Sequence, residues 1–171
     1  MGGVPYNQAR PEDTMTEQTG GTPGSRLSDD ELREFLAGPW ICRLGTLAED
    51  GYPYVTPLWF EYDGAGYVFI GRERADWIGH IRRDPRVGLC IDDPDGSHRR
   101  VVVQGRAEIV EGPSVRGPWL PMAQRMAERY MGGPDGLTYM ERTLDYPRIS
   151  VRVTPEKTTT WRGAWARRYT R

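Results

Sequence analysis

Cations beside a glycine are the residues of this sequence best suited to chemistry. Gly71, Arg72, Arg74 and Trp77 fall between an apolar run, GYVFIG, and a helical pattern that begins near Arg74. A helix start presents unpaired N–H groups and guanidinium groups add charge, so this turn is suited to holding a phosphate. The same residues also read as solvated loop arginines, with Trp77 in the core of its helix. Upstream, Thr56, Pro57, Leu58 and Trp59 place a proline inside a strand pattern. Proline cannot donate to a ladder, so the backbone there is predicted to be an edge or a bulge with free peptide groups, or else a plain barrel corner. Gln104 stands in VVVQGRAE among apolar neighbours and beside Gly105. Buried without a partner, its amide would cost about 1–3 kcal/mol, so it needs a partner or solvent.

Other chemistries find no footing. His80 and His98 are the only histidines, neither has an acidic partner at ligand spacing, and HExxH and GxSxG arrangements are absent. Both imidazoles are expected at the surface. Gly64 and Gly66 are followed by Phe69 where a dinucleotide fingerprint needs its third glycine. Cys42 and Cys90 lie inside apolar segments and read as buried, reduced thiols of a cytoplasmic protein. A net charge of −1, from 23 basic and 24 acidic residues, gives no field to attract nucleic acid or an anionic membrane. No run reaches the roughly 18–20 apolar residues of a membrane span.

The elements that must position these residues follow from the pattern. A polar leader rich in Gly, Pro and Thr covers 1–26 and is expected to be disordered, with one domain over 27–171. Ser28 and Glu31 make a capping box, and Leu27 with Leu32 a hydrophobic staple, so a helix is predicted to about Ala37. From Trp40 the period becomes two, giving a three-stranded antiparallel meander: WICRLGTL, YPYVTPLWFEY and GYVFIG. A second helix places Trp77, Ile78 and Ile81 on one face. RVGLCID and RRVVVQGRAEIVE are the next strands. Helical patterns through Met122, Met126 and Tyr130 and through Leu137, Met140 and Leu144 precede a last strand, RISVRV, that continues toward Trp161. The expected fold is mainly β: a six-stranded antiparallel Greek-key split barrel with flanking helices.

That order, with LSDDELREFL, GTLAEDGYPYVTPLWFEYDGAGYVFIG, HIRRDPRVGLCIDD, VVVQGRAEIV and the pair Arg129 and Tyr130, resembles the flavin-binding split-barrel family. This family includes pyridoxamine 5′-phosphate oxidase and the actinobacterial reductases that use the deazaflavin coenzyme F-420. The resemblance implies a homodimer with two cofactor sites, each holding FMN or coenzyme F-420 and passing hydride to or from a small organic substrate. It implies that Thr56, Pro57, Leu58 and Trp59 form a wall against the ring, with Ile70, Gly71, Arg72, Arg74 and Trp77 beside it. It also implies that Gln104, Arg129 and Trp161 face the cofactor or the second subunit. The sequence departs from the family at Trp77, where a phosphate-binding Lys is usual. A non-catalytic member that stores a cofactor or haem, or a stress protein with an empty groove, is the alternative. Arg-, Gly-, Asp- and Trp-rich usage looks actinobacterial, where coenzyme F-420 is common.

Overall fold

Ser28 caps the first helix. Its hydroxyl accepts from Glu31 N, the Glu31 carboxylate accepts from Ser28 N at 2.7 Å, and α1 (Asp29–Leu36) follows. The structure, a computed structural model, describes residues 26–94 and 98–162. The predicted leader therefore lies outside it but for Arg26, as do residues 163–171 of the expected domain.

Among the described residues, seven strands form one antiparallel sheet. β1 (Cys42–Leu47) pairs with β2 (Pro53–Leu58), and β3 (Glu61–Tyr62) pairs with β4 (Tyr67–Arg72). After α2 (Asp76–Arg83) come β5 (Arg86–Asp92) and β6 (Arg100–Ser114), then α3 (Leu120–Met131), α4 (Gly133–Thr143) and β7 (Arg148–Trp161). The order across the sheet is β2-β1-β5-β6-β7-β4-β3. Strands β5, β6 and β7 with β4 returning beside β7 make the Greek key. The two edge strands are consecutive in the chain, joined only through Trp59 and Phe60. Two residues bridge at most roughly 11 Å, so the sheet must curl until its edges meet.

The six-strand count and the three-stranded meander are thereby corrected. YPYVTPLWFEY breaks into β2 and β3, and β4 pairs with β7 rather than with β2. The cause lies in α3. Tyr130 Oη accepts from Phe60 N at 3.3 Å and donates to Trp40 O at 2.9 Å, while the Arg129 guanidinium donates to Phe60 O. Both peptide groups of Phe60 are thus taken by a helix 70 residues later, and the strand cannot continue through it.

Inward-facing residues of the strands fill the barrel. Cys42, Leu44, Leu89, Ile91, Val101, Val103, Phe69, Ile149, Val151 and Val153 point inward and are buried. Helix α1 contributes Phe35 and Leu36, and α2 contributes Trp77, Ile78 and Ile81 to the same core. Each such side chain, fully buried, contributes about 1.5–3 kcal/mol. A second cluster forms outside the sheet, where Trp119, Ala123, Ala127 and Met140 of the α3–α4 region cover Ile70 and Trp59. Gly132, at φ +85°, turns the chain between these two helices.

Candidate functional site

Strand β2 is an edge, and Pro57 fits there because an edge tolerates a missing donor. Pro57 stands opposite Arg43, Thr56 opposite Leu44 and Leu58 opposite Cys42. A proline can occupy only a non-hydrogen-bonded pair with β1, so by alternation the backbone groups of Val55 and Pro57 face the open side. Thr56 and Leu58 turn their side chains toward the barrel interior, beside Leu44 and Cys42, and Pro57 turns outward.

The outer face beyond β2 is unusually bare. One row across it reads Val55, Gly45, Gly88, Gln104 and Lys157 by register. Val55 is 63% exposed, and Gln104 is exposed as well. A groove of about 430 Å³ runs over the two glycines and Gln104, with Arg86 and Glu156 also in its lining. A Cβ built on Gly45 would approach nothing closer than 3.5 Å, and one on Gly88 nothing closer than 3.9 Å. Packing within the chain therefore does not require either glycine. Gln104 lies three strands from β2, roughly 14 Å, so one copy of the chain does not bring it to the Thr56–Trp59 wall. Trp161, at the end of β7, carries the Arg100 guanidinium 5.6 Å from its ring centroid on the far side of this face.

At the end of β4 the proposed phosphate turn divides in two. Trp77 is 3% exposed and packs on Gly71, where an added Cβ would sit 2.3 Å from its Cζ2. Its indole is therefore a core group over a glycine and has no face toward a ligand. Asp76 is the acidic residue in the first turn of α2, and no side chain caps that turn at Ala75. A carboxylate there opposes an anion at the helix start. Arg72 and Arg74, in contrast, share the lining of a separate cavity of about 130 Å³ with Tyr146 and Pro147.

Three more predicted residues meet α3 and α4. Trp59 stacks on Tyr130 with centroids 5.2 Å apart and meets Tyr139 edge-on. Ile70 packs against the same cluster. Arg129 lies over the rings of Phe60 and Tyr130 while holding Phe60 O. Burial raises the Tyr130 phenol, against the opposing pull of the Phe60 N–H and the Arg129 charge. Tyr130 therefore stays protonated and keeps its donor bond to Trp40 O.

Nucleophilic and metal chemistry have little to work with. Burial, with Cys90 beside it, pushes the Cys42 thiol upward, so it is not a thiolate at neutral pH. Both cysteines are free, Cys42 buried and Cys90 half-buried. His80, expected at the surface, is half-buried: its Nδ1 is 2.9 Å from Thr46 Oγ1 and its ring meets Tyr54 edge-on. His98 is exposed at φ +56°. Among the described residues no three His, Cys, Asp or Glu converge on a metal position, and no helix is long and apolar enough to cross a membrane.

A family model, pyridoxamine 5′-phosphate oxidase, matches residues 28–162. The chain belongs to this family. A curated pyridoxine/pyridoxamine 5′-phosphate oxidase of Kineococcus radiotolerans is 35% identical over 81 residues, 47% of this chain and 36% of that protein. The match thus spans about a third of that relative's length. Among solved structures, the conserved hypothetical protein Rv2991 of Mycobacterium tuberculosis is 27% identical with a TM-score of 0.64, over 81% of this chain and 86% of that one. An F-420 reductase is 26% identical with a TM-score of 0.58, over 74% and 94%.

Within this oxidase-family fold, sequence reasoning overlooked four residues, three at the surface and one, Arg148, buried beneath it. Gly45 and Gly88 carried a readable signal, since a glycine inside a strand pattern marks a close approach. Tyr146 and Arg148 carried none, because their roles depend on the pairing of β7 with β4.

Proposed function

We propose that this member of the oxidase family is an oxidoreductase. In this reading it holds a flavin or deazaflavin ring, as FMN or coenzyme F-420, in a groove completed by a second copy of the chain. The substrate is a small, electron-poor organic molecule. The observation that carries the reading is the paired Gly45 and Gly88 on the outer face. Glycine inside a strand is destabilising by about 0.5–1 kcal/mol relative to Ala. Here side chains would fit, and the chain omits them. A flat occupant pressed against the sheet gives that omission a purpose. Such a ring is also compatible with the free backbone edge of β2 and with the scarcity of catalytic side chains.

The fit to the whole cofactor is uneven. Edge strand and glycine floor suit a ring, whereas Asp76 and the buried Trp77 leave no phosphate seat at the start of α2. When bound, the cofactor supplies the hydride chemistry itself. The chain's part is to shape and dry the groove: Tyr130 and Arg129 fix the Phe60 peptide where the barrel splits, and Trp59 is braced by Tyr130 and Tyr139. The α2 observation also favours a second reading, a non-catalytic binding protein on the same fold.

Spectra of the protein purified from a host that makes flavin, coenzyme F-420 and haem test both. A flavin or deazaflavin band, with dimeric mass and loss of both band and dimer in Gly45→Val/Gly88→Val, is the expected result. A strictly monomeric protein, or a variant that binds ring and partner unchanged, would sink the redox reading. A bound ring that never turns over with electron-poor substrates would favour the second.

A further inference from the structure

A second cleft, of about 440 Å³, opens where α1 ends against β3. The last turn of α1 forms one side, Glu61, Tyr62 and Asp63 form the other, and Arg129 reaches it from α3. It is about as large as the groove over Gly45 and Gly88 and shares no lining residue with it. A volume of this order suits a small molecule.

The walls carry both signs of charge. Glu61 and Asp63 are each fixed from outside the cleft: Arg125 Nη2 donates to Glu61 Oε1 at 2.7 Å, and Arg152 pairs with Asp63. The Arg152 guanidinium, with the Ala65 and Gly66 amides, holds the Asp63 carboxyl well below its ordinary value, so it is ionised at neutral pH. A carboxylate has about four lone-pair sites, so one arginine does not exhaust either group. The C-terminal end of α1 adds partial negative charge beside them. Tyr62 Oη donates to Gly64 O at 3.0 Å and fixes the turn that carries Asp63.

Arg33 and Arg129 supply the positive charge. Arg33 pairs with Asp30 at 3.1 Å on the open surface of α1, a contact that constrains it little. Arg129 is held more firmly and satisfied less. One terminal nitrogen donates to Phe60 O, while Nε is buried with no partner. Its guanidinium carbon lies 5.8 Å from the Phe60 centroid and 5.0 Å from that of Tyr130. Among the described residues, no carboxylate lies within ion-pair distance of it. A guanidinium withdrawn from water in this way gains from an anion brought to the cleft.

A simple anion in the cleft would face Glu61, Asp63 and the helix end, and a simple cation would face Arg129 and Arg33. A zwitterion satisfies both sides, with each of its charged ends in charge-assisted hydrogen bonds. We propose that the α1–β3 cleft is a binding site for a free α-amino acid. Arg129 and Arg33 take its carboxylate, Glu61 and Asp63 take its ammonium, and Leu36 and Tyr62 offer apolar wall to its side chain. The site rests on nothing in the redox reading.

Thermal shift of the full chain with each of the twenty standard amino acids, followed by isothermal titration of the best, tests the cleft. Saturable binding at one site per chain is expected. The amide and the N-acetyl derivative of that amino acid, each lacking one charge, should bind about ten- to a hundredfold more weakly, the worth of a hydrogen bond to a charged group. Glu61→Gln and Arg129→Gln, each checked by circular dichroism, should weaken it to the same degree. If Arg129→Gln does not fold, amide chemical shifts of the parent give the location: Ala37, Tyr62 and Gly64 should move on titration while Gly45 and Gly88 stay. No binding by any of the twenty, or equal affinity for the amide and N-acetyl forms, would overturn the proposal. So would folded variants that bind as the parent does, or shifts confined to Gly45 and Gly88.

Discussion

Replacing Gly71 with Ala perturbs the β4–α2 junction at its tightest point. The new methyl would lie 2.3 Å from Trp77 Cζ2 and 3.0 Å from Cη2. An indole that is 3% exposed has little room to swing away. Overpacking of this kind costs about 1–3 kcal/mol. Trp77→Ala removes the indole and leaves a cavity, at about 3–5 kcal/mol, a large part of the ~5–15 kcal/mol that holds a domain folded. In the double variant the methyl enters that cavity, so the separate cost of Gly71→Ala should vanish. The cycle then shows a coupling of about 1–3 kcal/mol between the two sites. Urea denaturation followed by circular dichroism measures each corner. Thermal melts check it, since a chain of this size shifts about 2–4 °C per kcal/mol. Strictly additive losses would refute the contact. A loss below about 1 kcal/mol for Trp77→Ala would place the indole in solvent or against a ligand and return the start of α2 to the binding site.

Two further perturbations probe the barrel split and its hairpin. Tyr130→Phe removes the hydroxyl that joins Phe60 N and Trp40 O; a loss of about 1–3 kcal/mol is expected, with faster hydrogen exchange at the Phe60 amide, and unchanged exchange there would contradict the clamp. Asp63 is held down to about 2, chiefly by the Arg152 guanidinium, with the Ala65 and Gly66 amides assisting, against an ordinary value of 3.8. Its folded value lies below its unfolded one, so its contribution is complete above about pH 4 and fades as pH falls through 2. Asp63→Asn keeps an acceptor for the turn and deletes the charge. The gap between parent and variant, at most about 1 kcal/mol for so exposed a pair, should close on acidification from pH 5 to 2. A gap that stays constant would rule out the ion pair as its source.

Local chemistry was legible in the sequence wherever a rule acts over a few residues. The Ser28–Glu31 cap and the Trp77–Ile78–Ile81 face of α2 follow from short-range pattern, and the structure holds them; the alternation in RISVRV holds only for residue type, because Arg148 and Ser150 are buried along with Ile149 and Val151. The break at Phe60 did not follow, because WFEY reads as good strand and its partners, Arg129 and Tyr130, arrive 69 and 70 residues later. For the same reason His80 read as a surface residue: its Thr46 contact depends on where α2 crosses the β1–β2 hairpin. At the candidate site, Pro57 announced an edge, while Gly71 and Trp77 announced a turn whose interior packing only the fold reveals. Arg72 and Arg74 were visible as cations. That Arg148 stands opposite Arg72 needed the pairing of β4 with β7.

These placements imply an unusual sensitivity to substitution. A site built on a nucleophile or a metal is destroyed by truncating a side chain, because the reacting atoms are the protein's own. In the reading proposed here the reacting atoms belong to the bound ring, and the protein contributes shape: an edge left unpaired at β2, two glycines left bare on β1 and β5, and a split kept open by a helix that captures one peptide. Truncation removes little from such a surface, whereas an added methyl or isopropyl group occupies the space that the ring or the second copy needs. Gly45 and Gly88 tolerate a Cβ within the chain itself, so filling them separates binding from folding as Gly71, pressed against Trp77, cannot.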